Sequence, residues 1–199
     1  MAQLPARTSS TTAPDAGFDP AAHPTGTSAR GRGTLPTALV RVVRPDDRAR
    51  PDELLLDDRT LGPTSLALAA ARAGTVRLRH GAALPTRAAV RALVAMLAGE
   101  IAAAGRDRRD VRMVLEVEVV VADDEADAVR RRTNLALSAA FSHATWHADT
   151  VVLVAPVGGI GARARELAAE VGVDQVDLVL VGGTRTRARD VVASLRAMV

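Results

Sequence analysis

From residue 37 onward, short runs of valine and leucine alternate with longer stretches rich in alanine and arginine, and this alternation limits the folds open to the chain. The runs are "TALVRVV" (37–43), "LLLDD" (54–58), "TVRL" (75–78), "VRMVLEVEVVV" (111–121), "TVVLVA" (150–155) and "VDLVLV" (176–181). Their β-branched content and short length suit strands. Between and after them the pattern predicts helices over 64–73, 86–104, 161–171 and 185–198, and one opening at "ADDEADAV". The acids of that last helix precede its arginines, as the helix dipole favours. Strands alternating with helices of this length build βαβ units with right-handed crossovers, so the expected fold class is α/β, a mostly parallel sheet with flanking helices.

Residues 1–34 lack any apolar period and are rich in Pro, Gly, Ser, Thr and Ala. Such a segment buries too little apolar surface to offset its ordering entropy, and it is predicted to be disordered. The folded domain is assigned to 35–199.

Composition removes several function classes. The 26 basic residues, all arginine, are interleaved with 23 acidic ones, leaving a net charge of +3. With two Phe, one Trp and no Tyr, the chain has no aromatic platform for stacking bases, so nucleic acid is not an expected partner. Without cysteine there is no disulfide, thiolate metal site or Cys nucleophile. No apolar run is long enough to span a bilayer and the N-terminus lacks a secretory apolar core, so the chain reads as cytoplasmic and independent of membranes.

Five places carry candidate chemistry. Gly159 and Gly161 open the pattern G-x-G-x-x-A after a β run, which a dinucleotide fold needs for close approach to a pyrophosphate. The strand that follows ends in glycines, where an acid should meet the ribose, so a plain glycine loop before a helix remains the other reading. Glu116 and Glu118 share one face of the strand 111–121 by period two. They either face a polar cavity or pair with neighbouring arginines. His80 follows a strand, the place where functional groups collect in parallel α/β folds, or is a solvated loop residue. His143 and His147 stand four apart, without a third metal ligand. Finally, Gly62, Thr64 and Ser65 in "LGPTS" open a helix, where hydroxyls serve as a cap or, with the free amides, as an anion cradle.

The segment "LLLDDRTLGPTSLALAAARAGTVRL" resembles the stretch of luciferase-like flavin-dependent monooxygenases in which a strand reaches a phosphate loop and an alanine-rich helix. "AAAGRDRRDVRMVLEVEVVVADDEADA" resembles that family's late strand and acidic helix start, and "VLVAPVGGIGARARELAAEVGVDQVDLVLV" resembles its C-terminal segment. The resemblance covers roughly residues 52–199. It implies a partial TIM-like (β/α) barrel, since a full one takes about 250 residues. It also implies reduced FMN, or the deazaflavin F420 as in some relatives, with oxygen and a small organic substrate. A flavin reductase and self-association are the implied partnerships. On this reading Gly62, Thr64 and Ser65 bind the flavin phosphate, and His80, Glu116 and Glu118 are the catalytic candidates. The alternatives are a non-catalytic α/β module that pairs with itself or with a fuller homologue, and a Rossmann-like nucleotide binder.

Limited proteolysis is expected to trim the chain to a core beginning near residue 35, as mass spectrometry of the product will read; a protected N-terminus contradicts the assignment.

Overall fold

The structure is a computed structural model that describes residues 38–43, 51–141 and 150–197. The segment 1–34 and the pair His143 and His147 lie outside these residues. The elements are β1 (Leu39–Val43), β2 (Glu53–Leu56), α1 (Pro63–Arg72), β3 (Thr75–Arg79), α2 (Arg87–Ala103), β4 (Arg112–Ala122), α3 (Glu125–Phe141), β5 (Leu153–Pro156), α4 (Val157–Val171), β6 (Gln175–Leu180) and α5 (Ala188–Arg196).

All pairings between these strands are parallel. The order is β1-β6-β4-β3-β2, with β5 joined to β4 alone. β3 pairs with Arg112–Glu116 of β4, and β5 takes the later stretch Val119–Ala122. β1 and β2 are edges, so the sheet is open. It is the mostly parallel α/β sheet expected of a partial barrel.

Period two splits the long strand β4 cleanly. Met113, Leu115, Val117, Val119 and Val121 are buried with Val76, Leu78, Val176 and Leu178 from the flanking strands. This apolar face packs against Leu66 and Ala70 of α1, Val90, Leu97 and Ile101 of α2, Ile160, Ala164 and Leu167 of α4, and Val191 of α5. Val120 and Ala122, in phase with Glu116 and Glu118, turn the other way. With Val154 they meet Ala128 and Leu135 of α3, a second apolar cluster on the opposite side of the sheet.

Helix ends follow local chemistry. Thr86 Oγ1 accepts from Ala89 N at 3.1 Å and caps α2. That helix stops at Gly105, whose φ of +73° needs glycine; Gly105 N donates to Ala102 O and Arg106 N to Ile101 O, the paired bonds of a Schellman end. The Arg106 guanidinium then donates to Ala70 O and Ala73 O at 2.8 and 3.0 Å, satisfying the end of α1. At α3, Asp124 Oδ1 accepts from Asp127 N and Asp127 Oδ2 from Asp123 N, so the acids in "ADDEADAV" are caps as well as dipole partners.

Three expectations are corrected. The glycines of "PVGGIGA" do not form a phosphate loop. β5 runs into α4 with Pro156 as the N-cap, so Gly158, Gly159 and Gly161 lie within the helix, and Gly161 is buried. The dinucleotide reading of Gly159 and Gly161 falls with the loop. The last helix begins as a 3-10 turn, Gly182–Arg187, and becomes α-helical only at Ala188. The second strand stops at Leu56, because Asp57 Oδ1 draws in Arg59 N and Thr60 N and starts a turn.

The neighbouring Asp58 reaches across to the loop after β3, accepting from Ala82 N at 3.0 Å and Ala83 N at 2.7 Å. A Cβ added to Gly81 would run into the Asp58 carboxylate. Asp58→Ala and Gly81→Ala should each cost about 1 kcal/mol, the worth of the bonds they remove. Because both break one contact, the double variant should cost little more than either alone, a non-additivity that urea denaturation will resolve.

Candidate functional site

The face of the sheet opposite the main core carries a band of charge. Arg41 of β1 stands beside Asp177 of β6, Asp177 beside Glu116 of β4, and Glu116 beside Arg79 of β3. Asp177 is fully buried. It accepts from Arg41 Nε at 3.0 Å and Nη2 at 2.6 Å, from Gln175 Nε2 at 2.6 Å, and from Arg77 Nη1. Arg77 reaches from β3 over β4 to make that bond, and its Nε donates to Glu53 of β2. One linked set of side chains therefore touches all five strands of the main path.

The charges hold each other in place. Burial opposes the Asp177 carboxylate, but hydrogen bonds from Arg41, Gln175 and Arg77 outweigh it and keep its pKa below the ordinary value. Burial likewise opposes the Arg77 cation, and its bonds to Glu53 and Asp177 raise its pKa instead. Toward the C-terminal end of the strands, Arg79 Nε binds Glu116 at 2.8 Å and its Nη1 lies 3.9 Å from Asp57.

The residues singled out from sequence sit at this same C-terminal end, on neighbouring strands. His80 is half-buried and directly follows β3. Glu118 is exposed on β4, two residues beyond the Arg79–Glu116 register pair. Glu116 is engaged by Arg79 and lies 3.8 Å from Arg77, the arginine pairing that its place on the strand allowed. Gly62 is the N-cap of α1 in extended backbone, with Pro63 as the first helical residue. Ser65 is thus inside the helix and is not its cap. Among the described residues, no hydrogen bond occupies the hydroxyls or amides of Thr64 and Ser65. Beside them Leu61, Pro63, Leu66, Leu84, Leu93 and Met96 line an apolar cavity of about 340 Å³. Asp58 ties the loop after β3 to the turn after β2, so the loops bearing His80 and Gly62 are coupled.

Sequence reading missed Arg41, Arg77 and Asp177. Their signal is a charged residue inside an otherwise apolar strand, in "LVRVV", "TVRLR" and "VDLVL". Among the described residues, no group of three His, Cys, Asp or Glu side chains is arranged to hold a metal. No helix among them is long and apolar enough to cross a membrane.

Asp177→Asn removes the charge that Arg41 and Arg77 share, and should cost about 3 kcal/mol at neutral pH, in the range for breaking a buried pair. The unfolded chain takes up this proton near pH 3.9 and the folded chain only at lower pH. The contribution is therefore complete above about pH 4 and fades as pH falls through the lowered pKa. Urea denaturation at pH 7 and pH 3 should show the variant losing less stability between the two than the wild type.

No protein-family model and no curated protein matches the sequence. Solved structures do. Riboflavin lyase (RcaE), crystallised with modified FMN and riboflavin, is 14% identical with a TM-score of 0.50, covering 69% of this chain and 41% of its own. DmoA from Hyphomicrobium sulfonivorans is 14% identical at a TM-score of 0.49, over 72% of this chain and 39% of its own. The long-chain alkane monooxygenase LadA is 15% identical at 0.48, over 69% and 40%. The chain spans less than half the length of each of these structures. At this identity the likeness is one of fold: the open parallel sheet and its helices correspond to part of the TIM-type barrel found in luciferase-like monooxygenases.

Proposed function

We propose that the chain is a luciferase-like flavin-dependent oxidoreductase module that works with reduced FMN and oxygen on a small organic substrate. The observation that carries the reading is the opening of α1. Pro63 has no amide hydrogen, so the donors left free are the amides and hydroxyls of Thr64 and Ser65. Together they offer four hydrogen bonds at the positive end of a helix, a donor set that suits a phosphate. A Cβ added at Gly62 meets no atom within 4 Å, so the turn is open around its N-cap. The site lies just beyond β2, at the end of a parallel sheet where ligands bind. The RcaE structure, with its modified FMN, supports FMN as the group held, and F420 is the other candidate.

Reduced flavin, when bound, supplies the electrons for reaction with oxygen. The chain's own part is to hold and orient. Thr64 and Ser65 anchor the phosphate, and Asp58 fixes the loop that carries His80. In this role the His80 imidazole donates to a flavin or substrate oxygen, and Glu118 is the carboxylate of the band that arginine leaves available. A separate reductase delivers the reduced cofactor, and a second copy of the chain covers the open sheet. A non-catalytic pairing module is the second reading, favoured by Glu116, whose carboxylate is committed to Arg79.

FMN titration by fluorescence quenching tests the proposal. The wild type should bind FMN, and a Thr64→Ala, Ser65→Ala double variant with an unchanged circular dichroism spectrum should bind at least tenfold more weakly. Equal affinities, or no binding to the wild type, overturn it and leave the pairing module.

A further inference from the structure

At the opposite side of the sheet, beside edge strand β1 and the C-terminal end of β6, α5 borders a groove of about 720 Å³. This lies within the roughly 300–1,000 Å³ of small-molecule sites. Val42, Leu180 and Val192 give it an apolar floor, and Arg185, Arg189 and Arg196 stand around it. Four strand spacings of about 4.8 Å separate β1 from β2, so this groove is distinct from the opening of α1.

The arrangement follows from helical spacing. Arg189, Val192 and Arg196 recur at i, i+3 and i+7 along α5 and share one side of it. Arg185 precedes them in the 3-10 turn. Val191 is buried and Leu195 packs with Ala188 toward the core, so the adjacent face of the helix fixes it against the body of the protein. The acids nearby are used elsewhere: Asp190 lies 3.8 Å from Arg187, which also holds Asp123 at 2.6 Å. Among the described residues, no acidic residue lines the groove. Among the described residues, neither a hydrogen bond nor an ion pair engages the guanidinium groups of Arg185, Arg189 or Arg196, whereas those of Arg41, Arg77, Arg79, Arg87, Arg108 and Arg163 all meet carboxylates.

We propose that this groove binds an amphiphilic organic anion. Its carboxylate or phosphate head is held by the guanidinium groups of Arg185, Arg189 and Arg196, whose planar forks match such oxygens. Its short apolar body lies on Val42, Leu180 and Val192, leaving water as it binds. Three like charges around one cavity repel each other, and a bound anion relieves that repulsion. Neither half of the site suffices: inorganic phosphate finds no floor for an apolar body, and an alcohol finds no use for the arginines.

Isothermal titration calorimetry of the full chain tests this, with decyl phosphate kept below its micelle concentration and inorganic phosphate and decanol as the partial ligands. Decyl phosphate should bind one per chain, with an affinity that falls as salt is raised. Inorganic phosphate and decanol should each bind at least tenfold more weakly. An Arg189→Ala, Arg196→Ala double variant should lose at least tenfold in decyl phosphate affinity, and Arg185→Ala, outside the helix, should also weaken it. Arg91→Ala, an exposed arginine of α2, should leave it unchanged. Absence of binding to the wild type, inorganic phosphate binding as tightly as decyl phosphate, or equal loss in the Arg91 variant each overturns the proposal. So does sedimentation with anionic phospholipid vesicles when monomeric decyl phosphate is not bound, since that assigns the arginines to a lipid surface.

Discussion

Asp177 has no contact with solvent and yet is held in its charged form, and the layout of the sheet depends on meeting that charge. An isolated carboxylate buried this way costs many kcal/mol, far more than a domain's net stability. Arg41, Gln175 and Arg77 supply the donors, and each comes from a definite place: the edge strand β1, the same strand two residues earlier, and β3 on the other side of β4. The three are in reach only when β1, β6, β4 and β3 lie side by side in their observed register. A one-residue slip of β6 turns Asp177 toward the apolar face, beside Leu115 and Val117 of β4, and turns Leu178 out of the core. The ion-pair set contributes specificity of register more than net stability, since a well-packed apolar replacement loses nothing to desolvation.

The two faces of the sheet then have different work. The apolar face is covered by α1, α2, α4 and α5 and holds the larger core. Among the described residues, the apolar cover on the charged face is where α3 meets Val120, Ala122 and Val154, at the end of β4 and along β5. In a closed barrel the corresponding face points inward and is filled by side chains. Here β1 and β2 do not meet, and the charges on this face neutralise each other across strands.

Some features were readable from local sequence. Period two in "VRMVLEVEVVV" correctly separates the core residues of β4 from Glu116 and Glu118, and Gly105 and Thr86 mark the ends of α2. The fate of Glu116 was not readable, because Arg79 stands 37 residues earlier and comes beside it only through the β3–β4 register. The glycine pattern at Gly159 and Gly161 misled for a related reason. Proline and glycine are both turn formers, but Pro156 fits a helix N-cap, and β5 gives way to α4 with no loop between them.

The sequence by itself determined the alternation of strands and helices, the parallel α/β class and the apolar side of each element, because these depend on periodicity and on contacts within a few residues. The tertiary structure alone decided the strand order, the coupling of the turn after β2 to the loop after β3 through Asp58, the sharing of Asp177 among three donors, and the convergence of Arg185, Arg189 and Arg196 with Val42 on one groove. Each of those joins residues far apart in the chain, and their interaction energies act only after hydrophobic packing has brought the strands together.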